Sequence, residues 1–384
     1  MFAGNPILLE CDGYDTHPIR GGKLIVNMGG EQVYEGRFQS PAQIDISGIA
    51  QAAAAAYDEP SEAPTTAIET LESLTPGEKK FRRGLEVVVA YTEDDREYYN
   101  AIALPGGISR QQYKAYVREE DAFTGRFCTR DGNFFLTTRT AGWRIEIRET
   151  ELYPLYFLST GPQTERLYIR EALSGKELTY EFATGVCAIN MDKVRRDFWE
   201  KEGVIGNVFD ILQFVYGKDW RIACEIVITR SQTARERYRL KFRNSLGVFE
   251  IIEITGKLME SAEWHEGGDF RRFDDVTRGF QNLRERVEWE RVLRITTPLP
   301  RERAFLLDML GSEEIYLLDA FSTPARVNVS AEGLEWNRQR QEPEQGELRI
   351  SLAEPELLAG EWIEGSGDNE KPRVHTERFD QEFN

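Results

Sequence analysis

Short runs rich in β-branched and aromatic residues fill most of the chain, each broken after roughly ten positions by glycine, proline or aspartate. Lys23–Met28 and Gln32–Phe38 are two such runs, joined through Gly29-Gly30, a dipeptide whose access to positive φ suits a tight hairpin. Asp131-Gly132 plays the same part between Arg126–Thr129 and Phe134–Thr138. In Arg144-Ile145-Glu146-Ile147-Arg148 charged and apolar residues alternate, which predicts a half-buried antiparallel strand. Further strands are predicted over Leu155–Leu158, Arg166–Arg170, Leu178–Phe182, Val186–Asn190, Ile222–Thr229, Tyr238–Arg243 and Phe249–Ile254, with Ser174-Gly175 and Ser245-Leu246-Gly247 as turns. Helical periodicity is sparse. Its clearest instances are Asp192–Lys201 and Arg301–Leu310, the second opening after Pro298 and Pro300 and closing at Gly311.

This pattern predicts a mainly β protein of several antiparallel β-sandwich or barrel-like modules with a few short helices, and it argues against a doubly wound α/β enzyme. Asp58–Glu78 holds six acidic residues, three prolines and no basic residue, so it reads as an exposed loop or linker. The expected divisions are an N-terminal β unit (1–57), the acidic linker (58–83) and a β-sandwich module (84–160). A β-rich module with one short helix (161–265), a C-terminal β module with one helix (266–363) and a polar arm (364–384) follow. The boundary near 265 rests on Thr255–Asp275, where Gly, Asp, Glu and Arg displace apolar residues.

The 384 residues exceed what one hydrophobic core usually fills, and 21 Phe, 15 Tyr and 7 Trp supply apolar surface for several. A net charge of −18 makes a phosphate backbone a poor partner, so no sequence-specific nucleic acid is expected. The N-terminal residues lack a signal-peptide pattern, and Ile49–Tyr57, the most apolar helix candidate, is too short to span a bilayer. The sequence thus reads as made in the cytoplasm with no membrane partner. Cys11, Cys128, Cys187 and Cys224 are scattered beside apolar runs and read as inert core thiols.

Familiar phosphate-loop, dinucleotide, zincin and serine-hydrolase motifs do not occur. His17, His265 and His375 lie far apart in polar contexts, where exposed loop histidines are the simpler account. Glu119/Glu120, Asp274/Asp275 and Glu313/Glu314 are adjacent carboxylates whose side chains diverge in strands and turns, so they read as solvated charge rather than a glycosidase pair. Asp269–Asp275 resembles a calcium loop only weakly, since Arg271 and Arg272 interrupt it. Trp143, Trp289 and Trp336 fit alternating strand patterns and core packing, whereas Trp264 sits in a polar loop beside His265 and Glu266 and is the candidate for an exposed contact. No catalytic, cofactor-binding or metal-binding residue is assigned.

Several segments together resemble a family. Asn5-Pro6-Ile7, Lys23–Val26, Val33–Phe38 and Ile44–Ser47 look like the N-terminal β unit of tail proteins from phages and prophages of gut bacteria. Arg243-Asn244-Ser245-Leu246-Gly247-Val248-Phe249-Glu250 is similar to their Asn-Ser-x-Gly segment before a strand. Phe305–Leu310, Ser312 and Ile315–Leu318 resemble their helix-Ser-strand element. The resemblance implies a virion structural protein of the distal tail or baseplate, located in the phage tail. It further implies copies of the chain in a ring around the tail axis, touching tail-tube and hub proteins. Such a building block is not an enzyme and needs no cofactor. The rival expectations are a carbohydrate-binding adhesin or receptor-binding module, favoured by the aromatic content, and a glycan- or cell-wall-cleaving enzyme.

Overall fold

The computed structural model describes residues 1–11, 20–55, 64–74, 80–92, 94–109, 135–139, 144–152, 154–159, 165–203, 209–215, 222–229, 237–270, 281–296, 303–318, 324–332 and 345–353. The chain divides into two compact units, Met1–Arg230 with Asn244–Glu250, and Ser231–Arg243 with Ile251–Asn384. The first opens with β1 (Leu8–Cys11), β2 (Arg20–Met28), β3 (Glu31–Ser40), β4 (Ala42–Asp45) and α1 (Ser47–Ala55). Then come β5 (Ile68–Thr70), the one-turn helix α2 (Leu71–Leu74), β6 (Arg83–Ala90) and β7 (Arg96–Ala103). It continues through β8 (Arg144–Arg148), β9 (Leu155–Ser159), β10 (Glu165–Glu171), β11 (Glu177–Phe182), β12 (Gly185–Ile189), α3 (Met191–Glu202), β13 (Phe209–Val215) and β14 (Ile222–Thr229). The second unit carries β15 (Arg237–Arg243), most of β16 (Phe249–Phe270), β17 (Gln281–Thr296), α4 (Arg303–Leu310), β18 (Ile315–Leu317), β19 (Ala325–Glu332) and β20 (Gln345–Leu352). The fold is mainly β, as the sequence pattern predicts. No helix among the described residues is long and apolar enough to cross a membrane.

An antiparallel sheet in the order β3-β2-β6-β7 forms the first layer. Its first hairpin turns through Gly29 and Gly30 at φ 62° and 88°, as that dipeptide predicts. One face of the sheet buries Leu24, Val26, Met28, Leu85, Val87 and Val89 against Ala50 and Ala54 of α1 and Leu9 and Cys11 of β1. Because β2 pairs β6 from Lys23↔Ala90 to Met28↔Leu85, strands on both sides of the acidic run share this layer. The expected separation of residues 1–57 from the strands after 84 therefore gives way to matched apolar faces.

The acidic run itself is corrected in its middle. Residues 64–74 carry β5 and α2; β5 pairs β12 with Ile68 opposite Ile189, and Ala67 and Leu71 are buried. These few apolar side chains dock the segment. Glu69 accepts hydrogen bonds from the N–H and hydroxyl groups of Thr65 and Thr66, so its charge is satisfied locally. The remainder of Asp58–Glu78, residues 58–63 and 75–78, lies outside the described residues.

Two further sheets, β11-β10-β13-β14-β8 and β5-β12-β9, share one core. Phe157 meets Phe182 edge-on at 5.1 Å between ring centroids, and Phe135 meets Phe214 at 5.2 Å. β8 shows the expected alternation of burial, but it pairs with β14 in parallel rather than antiparallel. Alternation reports which face is covered and is silent on the direction of the neighbouring strand. α3 starts where Asn190 Oδ1 accepts the Lys193 N–H at 3.0 Å and ends at Gly203, φ 64°, so cap residues on each side fix the length of the sequence-predicted helix. The Asp131-Gly132 hairpin lies outside the described residues.

The second unit is a closed barrel in the order β15-β16-β17-β20-β19-β18. Leu240, Phe242, Ile252, Ile254, Ile315, Leu317, Leu348 and Ile350 fill it together with Phe305, Leu306 and Met309 of α4. The expected boundary at 265/266 falls inside β16, which runs on to Phe270 and pairs with β17 from Gly256↔Ile295 to Phe270↔Gln281. A long partner strand supplies the backbone hydrogen bonds whatever the side chains are, which is how a polar stretch became strand. The irregularities in that pairing cluster near His265 and Glu266. The polar arm 364–384 lies outside the described residues.

Candidate functional site

The Asn244-Ser245-Leu246-Gly247 turn links β15 to β16, yet it belongs to the first unit although β15 and most of β16 belong to the second. Gly247 takes φ +91°, and its N–H closes the turn on the Asn244 carbonyl at 2.9 Å. Asn244 is 3% exposed and its side chain is used on every side. Oδ1 accepts from the Leu246 and Val248 N–H groups at 3.0 and 3.1 Å, while Nδ2 donates to the Leu136 carbonyl at 2.8 Å and to Glu250 Oε2 at 2.7 Å. Only an amide offers two donors and two acceptor directions in that space, which accounts for asparagine here.

Beneath the turn lies a buried ionic cluster. Thr137 donates its hydroxyl to Glu250 Oε1 at 2.6 Å, and Arg139 Nε stands 3.8 Å from the same oxygen. Arg139 Nη1 reaches Glu151 Oε2 at 2.8 Å, and Glu151 also accepts the Arg148 N–H at 2.9 Å and faces Arg148 Nη1 at 3.5 Å. Arg139 is buried between the two carboxylates, while Arg148, 35% exposed, meets Glu151 from the rim. Opposite them, the Gly107 N–H donates to the Ser245 carbonyl at 2.8 Å. A Cβ on Gly106 would collide with the Ser245 oxygen and Leu246 carbonyl carbon, and one on Gly247 would meet the Pro105 carbonyl at 2.8 Å. These glycines let two backbones touch.

A second polar group sits on α3. Asp197 is held by Tyr180, whose hydroxyl donates at 3.0 Å, and by Lys193 and Lys201, each 3.1 Å away. Burial pushes the Asp197 carboxyl up, but the hydrogen bonds from Lys193, Lys201 and Tyr180 outweigh it and hold the group below the ordinary range. Burial, then the Asp197 charge, drives the Tyr180 phenol upward. In the barrel, Lys241 lies 5.7 Å from the centre of the Tyr316 ring across the β15–β18 pair. Burial lowers the Lys241 amine to about 8 against a smaller opposing pull from Glu314. Glu314 bonds Arg243 at 2.7 Å and accepts the Tyr316 hydroxyl at 2.8 Å.

The outward face of the first sheet carries exposed aromatic and amide groups. Tyr98 is 56% exposed and Ile102 52%, two turns of the pleat apart on β7 with Asn100 between them. Across the sheet, Glu86 lies opposite Asn100 and accepts a 2.8 Å hydrogen bond from Asn27 Nδ2. Gly84, opposite Ile102, leaves open space where a side chain would stand.

Trp264, read from sequence as a loop residue, sits inside β16 opposite Val287, and His265 follows it in the same strand. Trp289 falls in β17, as a strand pattern predicts. His17, His375, Glu119, Glu120, Asp274, Asp275, Trp143 and Trp336 lie outside the described residues, as does Asp269–Asp275 beyond Phe270. Glu313 is exposed whereas Glu314 is half-buried in its ion pair, so only the first is solvated charge. Cys11, Cys187 and Cys224 are buried thiols, and burial pushes Cys224 up to about 12; Cys128 lies outside the described residues. Among the described residues no three His, Cys, Asp or Glu side chains gather as a metal would require. The residues of the ionic cluster went unread in the sequence because Arg139, Glu151 and Glu250 meet only in the fold. No protein-family model, no curated protein and no solved structure matches the chain.

Proposed function

We propose that the chain is a non-enzymatic structural protein of a phage tail tip, working in the virion with copies of itself and with tail-tube and hub proteins. The observation that supports this reading is the Asn244–Gly247 turn, part of the segment that resembles tail proteins. A buried array of Thr137, Arg139, Glu151 and Glu250 is committed to holding it. Charges enclosed and hydrogen-bonded in this way give rigidity to a building block, whereas a catalytic carboxylate needs an approach for substrate. Immunogold labelling of particles from a producing culture tests it: label at the tail tip is expected, and intact tails that carry none overturn it. Incubation with bacterial cell wall and a polysaccharide panel is expected to release no product.

A second reading, a carbohydrate-binding module, is favoured by the Tyr98 face. A sugar ring stacks on an exposed phenol, and Asn100 with the Asn27–Glu86 pair offers hydroxyl partners along one row. Glycan-array binding lost in Tyr98→Ala supports this reading; an array with no signal rejects it.

A further inference from the structure

β3 is one end of its sheet, so the backbone groups on its outer side have no strand beside them among the described residues. Ten residues is long for such an edge, since proteins usually blunt edges by shortness, bulges or charge. Its register against β2 slips once, near Val33, and is regular from Tyr34 to Ser40. Glu35 and Arg37 are exposed and lie on the same face two positions apart, and Gly36 between them has no side chain. On the other face the Tyr34 ring lies where a Gly36 Cβ would stand, and the Phe38 ring covers Gly22.

We propose that β3 pairs antiparallel with β3 of a second copy about a two-fold axis at Gly36, joining two four-stranded sheets into one. In that register Glu35 of each copy faces Arg37 of the other, so the same ion pair forms twice, and Tyr34 faces Phe38. Moving the axis to Glu35 sets Glu35 against itself, and moving it to Arg37 sets Arg37 against itself. The sequence thus favours one register and penalises its neighbours. Lys23, 2.9 Å from Glu35, holds that carboxylate below its ordinary range by hydrogen bonding and adds a positive charge beside the seam. A pairing of one strand is small, so the association is expected to be weak and reversible.

Sedimentation velocity of the full chain over a concentration series tests it, apart from any tail partner. The wild-type chain is expected to dimerise; Glu35→Arg and Arg37→Glu each place like charges at both contacts and are expected to weaken dimerisation about tenfold. The double variant E35R/R37E restores both pairs and is expected to recover the wild-type constant. An equimolar mixture of the two single variants is likewise expected to associate, since each supplies the charge the other lacks. A chain that stays monomeric throughout overturns the proposal, as do single variants that dimerise like the wild type or a mixture and double variant that fail to recover. The tail reading is judged separately by labelling of particles, so either can fail alone.

Discussion

Thr137 and Glu250, 113 positions apart in the chain, are joined by a 2.6 Å hydrogen bond in which the hydroxyl donates to the carboxylate. That bond and the Arg139 charge beside it hold the start of β16 onto residues 135–139. A short charge-assisted hydrogen bond in a buried setting is stronger than its neutral counterpart, and its loss leaves a desolvated carboxylate behind.

Asn244→Ala removes the four hydrogen bonds of the turn's side chain and strands two buried backbone donors. A loss of about 3 kcal/mol in unfolding free energy is expected, read by urea denaturation. Asn244→Asp keeps the acceptor but sets a carboxylate against Glu250, so it is expected to be no better tolerated than alanine.

Gly247→Ala and Gly106→Ala each drive a Cβ into facing backbone at a positive φ, and each is expected to cost more than about 2 kcal/mol. Gly175 has φ +70° with nothing within reach of a Cβ, so Gly175→Ala isolates the backbone cost, about 1 kcal/mol. Thermal melts of the three variants separate crowding from conformation; equal losses would show that the backbones at 105–107 and 245–247 do not meet.

Asp197 predicts a response to acid. Its folded pKa lies below the ordinary 3.8, so the folded state binds its proton more weakly than the unfolded state does. The contribution is complete above the unfolded value and is lost as pH falls through the lower folded one. Asp197→Asn is expected to flatten the fall in stability below about pH 4, measured by denaturant titration at several pH values. An unchanged acid limb in the variant would mean that Lys193, Lys201 and Tyr180 do not hold the carboxylate.

Lys241 predicts the opposite limb. The folded amine loses its proton near 8 and the unfolded one near 10.5, so between these values the unfolded state binds more protons and stability rises with pH. Below that window the buried charge is a full penalty. Lys241→Met is expected to remove the rise and to be at least as stable as the wild type at pH 7. A parallel alkaline slope in both proteins would refute the burial of this amine.

Much of the architecture was legible along the chain where local chemistry and tertiary pairing agree. Gly29-Gly30 specifies a hairpin by its φ values, and the periodicity of Asp192–Lys201 marks α3. Legibility ended where pairing overrode composition. Thr255–Phe270 reads as a polar break but is strand because β17 lies beside it, and β13 hides behind Asp210 and Gln213. The ionic cluster was illegible for a different reason. Arg139, Glu151 and Glu250 sit in charged surroundings like many others, and only the fold removes them from water. Ser245-Leu246-Gly247 announces a turn, but nothing along the chain announces an anchor.

The path of the chain has a consequence for biosynthesis. Residues 244–250 complete the interior of the first unit, so a nascent chain released only to Arg230 lacks both Asn244 and Glu250. The first unit is therefore expected to complete its interior only after β15, part of the barrel, has been synthesised. Vectorial synthesis orders the two units in time: a chain arrested with residues 1–243 clear of the exit tunnel is expected to have a protease-sensitive first unit, and one arrested with residue 250 clear of it a resistant one.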